Sequence, residues 1–139
     1  MNLLEMCDRE AASVGVETTA EQAIRTMLDR EVGAVAVLDG EQRVAGVFTE
    51  RDVLLRLSLS RRDPGDTPVR EVMTTPVEMA TRTTTPSEAL ATMVERHYRH
   101  LPIVDEEGRL LGMLSIRNLL QARINTLARQ LDEARALPR

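Results

Sequence analysis

The chain has 139 residues, 42% hydrophobic and 29% charged, with a net charge of −4. That length sustains a core of its own, the balance excludes a disordered chain, and the mild acidity disfavours a nucleic-acid backbone as partner. With no Trp, one Tyr, one Phe and seven Met, the core must be built from short aliphatic side chains and methionine, which suit strands buried on both faces.

The opening MNLLEMCDRE carries acids where a secretory signal has a positive start and an apolar run. No stretch approaches the roughly 20 apolar residues of a membrane span. A cytoplasmic protein with no membrane partner is expected. Cys7 is the single cysteine, so it cannot form an intrachain disulfide, and it is expected to be an inert thiol near a mobile N-terminus.

A short, weak strand is expected at 12–14. Thr19 then offers a helix cap, with Gln22 three residues on as capping-box partner, and Ala23, Met27 and Leu28 recur at helical spacing. This predicts a helix over 20–31. A buried strand at 34–38, a polar turn DGEQR, a strand at 43–48 and a second helix at 50–57 follow. Pro64-Gly65 and Pro68 mark a loop, and 69–73 suits one short helical turn.

The same order then returns. A weak strand falls at 77–79, and Thr85 with Glu88 caps a helix over 86–98. Strands at 101–104 and 110–114 flank DEEGR, and a helix runs from Ile116 onward. Residue n laid over residue n+66 aligns without a gap: Thr18-Thr19 on Thr84-Thr85, Thr26-Met27 on Thr92-Met93, Asp39 on Asp105, Gly46 on Gly112 and Arg51 on Arg117. The class is α+β, built from two α/β-type β-α-β-β-α repeats. The expected limits are 7–62 and 72–123 for the repeats, 63–71 for the linker and 124–139 for a C-terminal helical extension.

GVFTERD (46–52) and GMLSIRN (112–118) are the most informative segments. Each puts a Gly at the end of a strand, a hydroxyl where a helix starts, and an acid or amide three residues later. Thr49 with Asp52, and Ser115 with Asn118, satisfy a helix-capping pattern. The same geometry also seats a phosphate on free helix N–H groups, with a carboxylate one turn on for ribose hydroxyls.

Together with TTAEQAIRTM, TTPSEALATM, VMTTPV and RHLPIVDEEGRLLG, these segments make residues 7–123 resemble a tandem pair of CBS domains. The resemblance implies two repeats packed about a pseudo-twofold, with two clefts that take adenosine ligands. AMP, ADP or ATP is the expected ligand, with NAD or S-adenosylmethionine as further candidates. The main cleft would join Val47, Thr49, Arg51 and Asp52 to Thr74, Met79, Tyr98, Arg99 and His100. Asp52 would hold the ribose hydroxyls, Thr49 would meet phosphate, and Arg99 and His100 would add positive contacts. A second, weaker cleft would join Met113, Ser115 and Asn118 to Asp8, Ser13, Val32 and Gly33. There Asn118 replaces the acid, and Gly33-Ala34 replaces Arg99-His100.

His97 and His100 lie three apart, but no Cys or third His completes a metal set, and no metal is expected. No nucleophile–base set or Gly-rich phosphate loop is present, so no enzyme is expected. Leu120, Ile124, Leu127, Leu131 and Ala134 step by 4, 3, 4 and 3, a heptad seam that either folds back or forms a homodimer contact. The expected function is a regulatory, signal-transducing module that binds an adenine nucleotide and modulates a separate effector protein. The alternative is a purely structural interaction module with vestigial clefts.

Overall fold

Two threonines set the two central helices. Thr19 Oγ1 accepts from Gln22 N–H and starts α2 (Ala20–Arg30), and Thr85 does the same with Glu88 N–H at the start of α4 (Pro86–Arg96). Only the second cap is a complete box, because Glu88 reaches back to Thr85 N–H. Both helices stop where one residue turns left-handed, Glu31 at φ 54° and His97 at φ 59°. They therefore end one and two residues short of their expected limits.

The computed structural model describes residues 2–136. A short helix α1 (Leu3–Met6) precedes β1 (Ser13–Gly15), α2, β2 (Ala34–Leu38), β3 (Val44–Thr49) and α3 (Glu50–Asp52). Helix α3 continues as a π-helical segment, Val53–Ser58. Single 3-10 turns at Pro64–Asp66 and Val69–Glu71 lead to α4, β4 (His100–Val104), β5 (Leu110–Ser115) and the long α5 (Ile116–Ala136). In the first sheet β1 runs parallel to β2, and β2 antiparallel to β3. In the second, β4 and β5 are antiparallel.

The expected strand at 77–79 shrinks to a single parallel bridge between Ala80 and Ile103. The cause is Pro102. In the first repeat Ala36 N–H donates to the Ala12 carbonyl; the equivalent position is Pro102, which has no N–H to give. The following threonines also bind their own backbone, with Thr84 Oγ1 accepting from Thr81 N–H.

Each repeat has its own core, and each core is completed by a segment lying before the other repeat. Val35, Val37, Phe48 and Met27 pack with Val69 and Val72 from the inter-repeat segment. Leu101, Ile103, Leu114 and Met93 pack with Leu3 from the N-terminus. Leu3 and Val69 are 66 apart and both fully buried, so the internal symmetry reaches back to residue 3. The described N-terminal segment is thus packed onto the second core at Leu3. Cys7 is half-buried, and burial raises its thiol pKa, with Arg9 offsetting part of the effect. Between the repeats Ala34, Ala36 and Val47 meet Met113 in a third apolar cluster.

Candidate functional site

Strand β3 delivers Thr49 to the point where the chain turns into α3. Thr49 Oγ1 accepts from Asp52 N–H, and the Asp52 carboxylate accepts from Thr49 N–H at 3.0 Å, a complete capping box. Among the described residues Asp52 is the one charged side chain that is buried, at 4% exposure. A carboxylate so placed needs partners, and it has them. Its Oδ2 also accepts from the Thr49 hydroxyl at 3.1 Å, and its Oδ1 accepts from the Thr74 hydroxyl at 2.9 Å. Arg56, one turn further along, stands 3.4 Å from Oδ1 and donates to the Met73 carbonyl at 3.1 Å.

Thr74 arrives from the inter-repeat segment. Val47 and Thr74 exchange two backbone hydrogen bonds, at 3.1 and 2.8 Å. Gly46 makes the approach possible, since a Cβ there would lie 2.7 Å from the Thr74 carbonyl oxygen and 2.8 Å from Met73 Sδ. Of the residues expected in the main cleft, Val47, Thr49, Asp52 and Thr74 therefore form one bonded unit. His100 opens β4, half-buried, with Gly33 and Glu50 against it: a Cβ on Gly33 would meet Glu50 Oε1 at 2.6 Å and His100 Cε1 at 3.3 Å. Burial lowers the His100 pKa below its ordinary 6.5, with Glu50 opposing and Arg99 adding to the fall. Arg51 and Arg99 are exposed, as is Met79 beside the Ala80 bridge. Tyr98 packs against the core of the second repeat.

The second motif repeats the backbone but not the charges. Met113 and Asp8 exchange backbone bonds at 2.9 and 3.1 Å, as Val47 and Thr74 do. Asn118 Oδ1 accepts from Ser115 N–H, and Ser115 Oγ accepts from Asn118 N–H. Ser13 lies exposed on β1, Val32 packs on the first core, and Gly33 lies against Glu50 and His100.

Sequence reading passed over Arg56 and Glu50. The four-residue spacing of Asp52 and Arg56 on a helix was the available signal for the first. For Glu50 there was none, because its neighbours Gly33 and His100 are distant in sequence. A cavity of about 330 Å³ lined by Ile24, Val53, Leu57, Arg61, Arg62 and Asp63 contains none of the expected site residues.

The family model for the CBS domain matches twice, at residues 4–59 and 69–125. The chain belongs to the CBS-domain family. This tandem CBS pair is 38% identical over 104 residues to an uncharacterised 17.7 kDa protein of Acidianus ambivalens, a match covering 75% of this chain and 62% of that one. It spans less than two thirds of the curated relatives it matches first, down to 16% of a Schizosaccharomyces pombe protein. A CBS-domain protein from Burkholderia ambifaria superposes with a TM-score of 0.82 at 30% identity, over 90% of this chain and 95% of that one. A CBS domain protein from Pyrobaculum aerophilum, solved as a complex with AMP, superposes with a TM-score of 0.78 at 25% identity, over 85% and 89%.

Proposed function

We propose that this CBS pair is a regulatory, non-catalytic module that binds an adenine nucleotide, AMP, ADP or ATP, at the Asp52 cleft. It then alters the packing seen by a separate effector protein. The observation that carries the reading is the buried Asp52 carboxylate, held between a hydroxyl from each side of the repeat junction. The AMP complex of the Pyrobaculum relative supports it. The ribose hydroxyls donate to Asp52 in place of the Thr49 and Thr74 hydroxyls, which rotate toward the ligand. Arg51, Arg99 and His100 supply the phosphate side. The second cleft, with neutral Asn118, lacks a charge-assisted ribose bond and binds more weakly. The module works in the cytoplasm as a homodimer joined through α5.

A ligand moves such a module only by binding one packing better than another. Isothermal titration with AMP, ADP, ATP, NAD and S-adenosylmethionine tests the reading. Saturable binding of one of them, lost in Asp52→Ala while the circular dichroism spectrum is unchanged, is the expected result. Unchanged affinity in that variant refutes the site.

Two observations favour a second reading. Asp52 already has its acceptor positions filled from within the chain, and α5 carries no buried residue. A pair with vestigial clefts, serving only as an interaction module, has both properties. Absence of binding by all five ligands selects it.

A further inference from the structure

Arg56 belongs neither to the repeated motif nor to either core, yet it is the one cation paired with Asp52 among the described residues. It lies in the π-helical segment that directly follows α3, and its guanidinium reaches two places, the Asp52 carboxylate and the Met73 carbonyl. It thereby ties the helix of the first repeat to the segment that carries Thr74. Asp52 also has bonds from two hydroxyls and one backbone N–H. A hydroxyl turns freely about its C–O bond and can surrender its proton to another acceptor; a backbone N–H cannot, and a guanidinium, always protonated, keeps its charge beside the carboxylate. When the two threonine hydroxyls yield to a ligand, Thr49 N–H and Arg56 remain to hold the carboxylate.

The second repeat is an internal control. At the equivalent positions 66 residues on, Asp52 becomes Asn118 and Arg56 becomes Ala122. The neutral amide needs no counter-charge, and Ala122 offers none. Carboxylate and cation are thus present together in one repeat and absent together from the other.

We infer that Arg56 is a positioning residue of the nucleotide cleft, acting through Asp52 and through the Met73–Thr74 segment; the inference rests on the reading of Asp52 as the ribose acceptor. It touches no ligand. It keeps the carboxylate aimed while the hydroxyls exchange partners, and it makes the first cleft the stronger of the two.

The test is AMP titration of the wild-type chain and of Asp52→Ala, Arg56→Ala, Arg56→Gln and Arg56→Lys, each checked for folding by circular dichroism. Losing the ion pair to Asp52 together with the charge-assisted hydrogen bond to Met73 predicts that Arg56→Ala and Arg56→Gln weaken AMP binding about tenfold. Arg56→Lys recovers part of the loss, since one ammonium can balance Asp52 but cannot also hold Met73. If Arg56→Ala fails to fold, the Gln and Lys variants carry the test, for both keep a long polar side chain. Arg56→Gln within twofold of wild type, or Gln and Lys equal to one another, overturns the proposal while the Asp52 reading survives. Where the wild type binds ADP or ATP in place of AMP, the same variants are titrated with that nucleotide; a wild type that binds none of the three, or Asp52→Ala that binds as the wild type does, overturns both.

Discussion

At the scale of the residue, the site is a matter of where charge is placed. Asp52 is buried and answered by Arg56, whereas His100 is half-buried against Glu50 and Arg99. Burial favours the neutral imidazole, so the folded chain binds the His100 proton less readily than the unfolded chain, whose histidine titrates near 6.5. Its contribution is complete above that value and is lost as pH falls through 6.5 toward the lowered folded pKa. Between about pH 7.5 and about pH 5.5 the wild type should lose more stability than His100→Gln, measured by urea denaturation at each pH. Equal losses in the two proteins would refute the assignment. The cap was readable beforehand, because Thr49 and Asp52 announce it by their spacing alone; a cleft at the same place was what the resemblance to a CBS pair implied. Glu50 was not, since its place depends on Gly33 and His100; for Arg56 the spacing from Asp52 was a signal, but its bond to the Met73 carbonyl was not legible.

At the scale of the element, helix starts were legible because a cap is made within four residues. Thr19 and Thr85 begin α2 and α4 where their hydroxyls predict. Helix ends and the short strand were less so, because they turn on one dihedral and one missing N–H. The helix expected at 50–57 takes π geometry beyond Asp52, over Val53–Ser58, while α5 is α-helical to Ala136. Helix α5 keeps its heptad seam in the open: Leu120, Ile124, Leu127 and Leu131 are 48–58% exposed. A seam of this kind is satisfied by a second copy. Ile124→Glu should convert the proposed dimer to a monomer in analytical ultracentrifugation, with AMP affinity at the distant Asp52 cleft retained. A wild-type chain that sediments as a monomer would remove the dimer.

At the scale of the whole molecule, the two repeats are fastened by exchange. Leu3 completes the second core and Val69 the first. Truncating Leu3 should therefore damage the half of the molecule farthest from it in sequence. Leu3→Ala is expected to cost about 2–5 kcal/mol in chemical denaturation. Hydrogen exchange should rise first in α4, β4 and β5 and leave α2 protected; the reverse pattern would exclude the exchange as a source of stability. From the sequence alone came the duplication, the order of elements and the two motifs, because capping, periodicity and a 66-residue repeat are properties of neighbouring or aligned residues. The tertiary structure alone decided which core each leading segment fills, why Pro102 costs the second repeat a strand, that Gly33 and Glu50 meet His100, and that Arg56 reaches the Met73 carbonyl. Those outcomes come from packing between residues far apart in the chain, which no local spacing records.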